Sequence, residues 1–130
     1  MLRVVEVWDT KLAQFAEEWA LKCDYSHSTG RGDVGENLSL YATTSSIAEP
    51  KPSEALTGWH AETKDYDLKS NTCKNGKECG HYTQMVWEST CRVGCATAKC
   101  PKVTANGEPY EFESEEPLFY FLTVCNYGPA

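Results

Sequence analysis

Two histidines and two glutamates, spread over four segments of the chain, are the residues best suited to chemistry: His27, Glu36, Glu62 and His81. Two neutral imidazoles can bind zinc or another divalent ion, while carboxylates complete the ligand set or orient it. A histidine and a glutamate can also exchange protons in general acid–base catalysis. Their spacing matches no local motif such as His-Glu-x-x-His, so the fold must assemble any such site from separate segments.

Each candidate also has a purely structural interpretation. A loop histidine such as His27 is commonly a hydrogen-bonding surface group. Glu62 is expected to point inward, and a buried carboxylate needs a partner. We therefore expect a histidine or an asparagine beside Glu62, in a functional site or in a structural network. His60 would point elsewhere on the same helix and is interpreted as a surface or capping group.

No residue stands out as a nucleophile. Serine hydrolysis would need Ser26, Ser28 or Ser89, but none of them lies in a Gly-x-Ser-x-Gly turn. Cys91, at the start of a predicted strand, is interpreted as a free thiol or as half of an intermolecular bridge rather than as a catalytic thiol. The sequence therefore favours a binding protein over an enzyme, and the candidates for any catalysis are His81 and Glu62.

Two helices are predicted to position these residues. Asp9 can cap a helix from about Lys11 to Lys22. Ser53 can cap a second helix that runs to about Asp65. On this second helix one stripe collects apolar and aromatic residues together with Glu62, and for that reason Glu62 should face the core; its members are Ala55, Trp59, Glu62 and Tyr66.

The rest of the chain predicts a sheet. Residues 119–125 are apolar on both faces, which is typical of a central strand covered on two sides. A strand is expected from Arg92 to Ala98, a helical turn over residues 81–87, and a long turn over residues 101–117. Residues 36–41 fit either a short strand or a helical turn. Helices on both sides of such a sheet predict one α+β domain with layered packing.

Composition narrows the class of partner. The chain has 130 residues, 41% of them hydrophobic, which suits one domain with its own core. Its formal net charge of −7 argues against nucleic acid as a partner. No apolar run approaches the length of a transmembrane helix. The start of the chain does not resemble a signal peptide, so we interpret the sequence as a mature form or an excised part of a secreted protein.

Seven cysteines point to a disulfide-stabilised extracellular domain. Their spacing is unsuited to zinc fingers or ribbons, and the odd count leaves at least one thiol free or bonded to another chain. The cysteines are Cys23, Cys73, Cys79, Cys91, Cys95, Cys100 and Cys125.

Taken together, several segments resemble the CAP superfamily: cysteine-rich secretory proteins, antigen 5 and plant pathogenesis-related 1 proteins. The cysteine pattern looks most similar to the animal secreted branch near the peptidase inhibitor 16-like proteins. Matching segments run through nearly the whole chain: Trp8-Asp9, His27, Gly35-Glu36-Asn37-Leu38, Trp59 with Glu62, Gly80 to Trp87, Gly94-Cys95 and Cys125-Asn126-Tyr127.

The resemblance implies a three-layer α–β–α sandwich with a small, mostly antiparallel central sheet, stapled by disulfides. It also implies a cleft lined by His27, Glu36, Glu62 and His81, in which His27 and His81 can hold zinc or another divalent metal. The bridges it implies are Cys23–Cys100, Cys73–Cys79 and Cys95–Cys125, with Cys91 left as the free thiol.

The resemblance further implies a single domain over residues 1–130 that lacks the N-terminal helix and the C-terminal extension usual in relatives. Its function would be that of a secreted binding protein for a sterol, a fatty acid or an extracellular protein. Two alternatives remain open: a metal-dependent hydrolase that uses the same cleft, and a structural remnant without a ligand.

Overall fold

The computed structural model describes residues 7–45, 47 and 50–129. In chain order the elements are β1 (Val7–Trp8), α1 (Thr10–Ala20), β2 (Gly35–Thr43), α2 (Pro52–His60), a 3₁₀ helix (Ala61–Asp65), β3 (Tyr66–Asp67), β4 (Thr72–Cys73), α3 (Gly80–Met85), β5 (Arg92–Cys100), β6 (Val103–Ala105), β7 (Glu108–Tyr110) and β8 (Phe119–Gly128). No helix among these residues is long and apolar enough to span a bilayer.

Four strands form the central sheet in the order β1-β5-β8-β2. Strand β8 pairs antiparallel with both β5 and β2, and only β1 runs parallel to its neighbour. This confirms the predicted central strand, which extends to Gly128, and the mostly antiparallel sheet. The alternative of a helical turn over residues 36–41 is wrong, because this segment pairs with β8 along its whole length.

Side chains alternate across β8, so each face of the sheet carries its own core. Leu122 and Val124 pack with Ala16 and Ala20 of α1. On the other face, Cys125 and Tyr127 pack with Trp59 of α2, and Met85 of α3 packs against this group. The predicted three-layer α–β–α sandwich is therefore confirmed.

The first helix begins where the sequence predicts. The carboxylate of Asp9 accepts hydrogen bonds from the backbone N–H groups of Lys11 at 2.8 Å and Leu12 at 3.1 Å. The Leu12 N–H, followed by that of Lys11 and the Arg92 guanidinium, holds the pKa of Asp9 below its ordinary value. The helix ends at Ala20, two residues earlier than predicted, because Cys23 turns the chain with a φ of 54°.

The second helix differs from its prediction at both ends. It begins at Pro52 after Lys51, so Ser53 is not its cap. Proline suits the first helical position because its φ is already near the helical value and its missing N–H would have no helical partner. Glu62 lies beyond the end of this helix, in the 3₁₀ helix.

The predicted long turn over residues 101–117 contains a β-hairpin, so that prediction was incomplete. Strands β6 and β7 pair antiparallel around Asn106 and Gly107, whose φ angles are 54° and 83°. An Asn-Gly pair favours such tight hairpin turns because both residues tolerate positive φ. The Asn-Gly pair was therefore a sequence signal for the hairpin.

Three disulfides join Cys23 to Cys100, Cys73 to Cys79 and Cys95 to Cys125. These are the pairs that the resemblance implies. The first ties the end of α1 to the end of β5, the second closes a short loop before α3, and the third links register partners of β5 and β8. Cys91 is a free, exposed thiol.

Candidate functional site

The first pair of the candidate site joins His27 to Glu36. Nδ1 of His27 lies 3.0 Å from Oε1 of Glu36. The Glu36 side chain has no exposed surface, whereas 58% of the His27 side chain is exposed. Because an ionised carboxylate only accepts hydrogen bonds, Nδ1 is the donor, and Nε2 has a free lone pair when the imidazole is neutral.

Glu36 is held by more than this histidine. The backbone N–H of Ser28 donates to Oε1 at 2.8 Å, and the Ser28 hydroxyl donates to Oε2 at 2.5 Å. With its amide nitrogen turned toward Glu36, Asn126 donates to Oε2 at 3.1 Å, and its oxygen accepts from the Ala16 N–H at 3.3 Å. Four donors thus surround the two oxygens, which is what allows a carboxylate to be buried.

The second pair joins His81 of α3 to Glu62 of the 3₁₀ helix. Nδ1 of His81 lies 2.7 Å from Oε2 of Glu62, and the Tyr82 N–H donates to Oε1 at 3.0 Å. The Trp59 ring stacks on the imidazole, with ring centroids 5.9 Å apart and planes 10° apart. Glu62 therefore points toward α3 and has a histidine partner, as its place on the apolar stripe predicts.

Both pairs lie at the beginning of β2, on its two faces. Glu36 shares its face with Leu38, which packs against α1. Asn37 points to the other face, where its side-chain amide donates to the His81 backbone oxygen at 3.0 Å. Gly35 leaves room on that face for the Gln84 side chain of α3, since a Cβ there would overlap it. Among the described residues, no hydrogen bond or ion pair joins one pair directly to the other.

The two pairs share one chemical arrangement. In each, a carboxylate holds Nδ1 of a histidine, and this leaves Nε2 as the nitrogen able to bind a metal or take a proton. Within the part of the chain that is described, no group of three or more His, Cys, Asp and Glu side chains is arranged around one point. A metal ion would thus have at most two such side chains as ligands, and the family resemblance assigns that role to His27 and His81.

Ser26 and Ser28 do not pair with a histidine nitrogen as a serine nucleophile would. The Ser28 hydroxyl bonds to a glutamate rather than to a histidine nitrogen, and the Ser26 hydroxyl donates to Asp24 at 3.0 Å. The Cys91 thiol faces the backbone oxygen of Gly128 at 3.7 Å. His60 is exposed and contacts the edge of the Tyr82 ring.

Sequence reasoning missed the groups that support Glu36. The sequence suggests Ser28 only as a candidate nucleophile and Asn126 only as part of the family motif. Asn126 is the register partner of Glu36 across β2 and β8. No local pattern near Glu36 indicates that pairing, because it depends on how two distant strands align.

Comparison with known proteins places these features in a family context. The model of the family described as CAP, the cysteine-rich secretory protein family, matches residues 4–127. Human peptidase inhibitor 16 is 38% identical over 122 residues, which cover 94% of this chain and 24% of that protein. The chain therefore spans about a quarter of the length of this relative.

Solved structures show the same architecture. Venom allergen-like protein 4 of Schistosoma mansoni aligns with a TM-score of 0.66 and 28% identity, over 98% of this chain and 71% of that one. The crystal structure of NaASP2 with Zn²⁺ aligns with a TM-score of 0.57 and 26% identity, over 96% of this chain and 60% of that one.

Proposed function

Because the chain belongs to the CAP family of cysteine-rich secretory proteins, we propose that it is a secreted binding module with a metal-capable His/Glu cleft. The ligand is a sterol or fatty acid, or an extracellular protein partner. The three disulfides fit an extracellular protein, because such bonds persist in oxidising compartments.

The observation that carries the proposal is the matched orientation of the two histidines. Glu36 holds His27 and Glu62 holds His81, each through Nδ1. Carboxylates in this position keep the imidazole in the tautomer and orientation that a metal requires. When bound, a divalent ion would supply a positive charge to the site, and His27 and His81 would hold it. The NaASP2 structure with Zn²⁺ adds support from a structural relative.

The aromatic rings around His81 are evidence that the proposed ligand has an apolar part. Trp59 stacks on the imidazole, and the Tyr82 ring lies 5.9 Å from the rings of both His60 and Tyr66. Such rings offer large apolar faces with polar edges, which suits a sterol or an acyl chain that carries a polar head.

Zinc binding tests the metal claim. Isothermal titration with Zn²⁺ should show one site, and His27→Ala and His81→Ala should each abolish it. Glu62→Gln should weaken it about 10- to 100-fold, because that carboxylate only orients a ligand. His60→Ala is the matched control and should bind zinc as the wild type does. Zinc binding that survives the loss of both His27 and His81 would exclude this site.

Lipid binding tests the ligand claim separately. Radiolabelled cholesterol and palmitate should bind saturably, and the assay is run with added Zn²⁺ and again with chelator. Absence of saturable binding of either lipid in both conditions would reject the lipid ligand and leave a protein partner.

The His81–Glu62 pair favours one second function, that of a hydrolase. In it, His81 would act as general base, Glu62 would orient the imidazole, and a divalent metal, when bound, would activate water as the nucleophile. This alternative requires peptide or ester cleavage that disappears in both His81→Ala and Glu62→Gln while circular dichroism shows intact folding. Cleavage that persists in both variants would count as contamination.

A further inference from the structure

A pocket of about 290 Å³ lies between α1 and the segment of residues 28–34. None of the four His/Glu site residues lines the pocket, although Ser28 and Asn126 of its lining contact Glu36. Its lining combines aromatic, cationic and polar side chains, among them Phe15, Trp19, Lys22, Arg31, Ser28 and Asn126.

One wall of the pocket is aromatic. Phe15 keeps 58% of its surface exposed although it lies on a helix whose other face is buried. Trp19 is fixed beside it, because its indole N–H donates to the Ser26 backbone oxygen at 2.8 Å. A rigid ring next to an uncovered ring forms a flat apolar surface that gains free energy when a ligand covers it.

Two cations line the same pocket in a protein of net charge −7. Arg31 is held in place by hydrogen bonds from Nε to the Ser28 oxygen at 3.1 Å and from Nη1 to the Val34 oxygen at 3.4 Å. Lys22 extends over the Trp19 ring, with Nζ 4.9 Å from the centroid. Among the described residues neither cation forms an ion pair with a carboxylate.

Polar groups complete the site. The Ser28 hydroxyl and the Asn126 amide line the pocket while they hold Glu36 from its other side. The acidic residue of the lining is Glu18, which repels an anion. Its single negative charge does not neutralise the two positive charges of Lys22 and Arg31. The lining therefore carries a net positive charge beside an aromatic wall.

From this combination we infer that the pocket is a second ligand site, for a small organic anion with a flat apolar body, such as an aryl carboxylate or sulfonate. The apolar body stacks on Phe15 and Trp19, and the anionic group lies near Lys22 and Arg31. The volume lies just below the range of about 300–1,000 Å³ for ligand pockets, which fits a one- or two-ring compound rather than a sterol.

Calorimetric titration with 2-naphthoate tests the inference, with two compounds of similar shape as ligand controls. The neutral 2-naphthamide should bind at least about threefold more weakly, and the cationic 2-naphthylmethylammonium more weakly still. Equal binding of the three compounds, or no saturable binding of naphthoate at millimolar concentration, would overturn the inference.

Substitutions on α1 and just after it test whether naphthoate binds in this pocket. Lys22→Gln should weaken naphthoate binding about two- to fivefold, whereas Glu18→Gln should strengthen it about twofold. Phe15→Ala should weaken it by at least about threefold, because part of the aromatic wall is lost. Lys11→Gln, an exposed charge change on the same helix outside the pocket, should leave binding unchanged.

The binding of naphthoate should not depend on the proposed metal site. Naphthoate affinity should be the same in His81→Ala, and the same with or without chelator. If His81→Ala abolishes naphthoate binding, the compound binds in the cleft and the second site is rejected. If His81→Ala abolishes zinc binding but leaves naphthoate binding intact, both the metal site and the second ligand site are supported.

Discussion

Glu36 and Glu62 perform the same local task in different surroundings. Each carboxylate orients a histidine through Nδ1, but Glu36 is enclosed by donors from Ser28 and Asn126, whereas the Glu62 side chain keeps 15% of its surface exposed. The Glu36 network therefore has a structural component that would persist without any ligand. The buried hydrogen bonds of Glu36 favour the interpretation of His27 as part of a stabilising network.

Substitution of Glu36 measures how much its hydrogen bonds contribute to the stability of the fold. Glu36→Gln replaces one carboxylate oxygen with an NH₂ group. The neighbours of that oxygen are donors, and an NH₂ group cannot accept from them, so at least one hydrogen bond is lost in a buried site. We expect the free energy of unfolding to fall by about 1–3 kcal/mol in urea titrations. Glu17→Gln, an exposed change on α1, is the control and should leave it unchanged. Equal stability of the two variants would contradict the buried network.

At the scale of elements, α1 packs unusually close to β5. An added Cβ on Gly94 of β5 would lie 2.6 Å from the Asp9 backbone oxygen and 2.6 Å from the Leu12 carbonyl carbon. Backbone atoms cannot move aside as a flexible side chain can, so only glycine permits this approach. The contact sets the distance of α1 from the sheet, and with it the position of Phe15 and Trp19 in the pocket between α1 and residues 28–34.

Gly94→Ala should therefore displace α1. We expect a loss of about 1–3 kcal/mol in the free energy of unfolding, as for other overpacked interiors. Gly58→Ala in α2 is the matched control, since an added Cβ there meets no atom within 4 Å. That variant should gain about 0.5–1 kcal/mol from the better helix propensity of alanine. If both variants are stabilised, the close packing of α1 on β5 is wrong.

Across the whole molecule, the disulfides differ in how much chain they constrain. Cys23 and Cys100 are 77 residues apart in sequence, whereas Cys73 and Cys79 are only 6 apart. A longer closed loop removes more conformational entropy from the unfolded chain. The Cys23–Cys100 bridge should consequently be the larger contributor to global stability.

Paired serine substitutions compare the two bridges. Replacing Cys23 and Cys100 should lower the free energy of unfolding by about 4 kcal/mol, and replacing Cys73 and Cys79 by about 2 kcal/mol. Cys91→Ser breaks no bridge and should leave stability unchanged, which makes it the control. The reverse order of the two losses would contradict this account.

Features that depend on neighbours in the chain can be predicted from the sequence. The Asp9 cap follows from contacts within the first helical turn. The apolar stripe predicted the inward direction of Glu62, but its partner His81 lies 19 residues away. The central strand β8 follows from an apolar run on both of its faces. The order of helices and strands predicted layered packing, and the family resemblance added the three disulfide pairs, which local pattern alone left open.

How the site residues meet depends on the tertiary structure. Strand register brings Asn126 to Glu36, and period-two alternation along β2 lets Glu36 contact His27 while the next residue, Asn37, contacts the His81 backbone oxygen. The approach of α1 to Gly94, and the pocket beside Phe15, likewise depend on how distant segments pack. Such contacts join residues far apart in sequence, so no local spacing encodes them, and the fold supplies the geometry that chemistry requires.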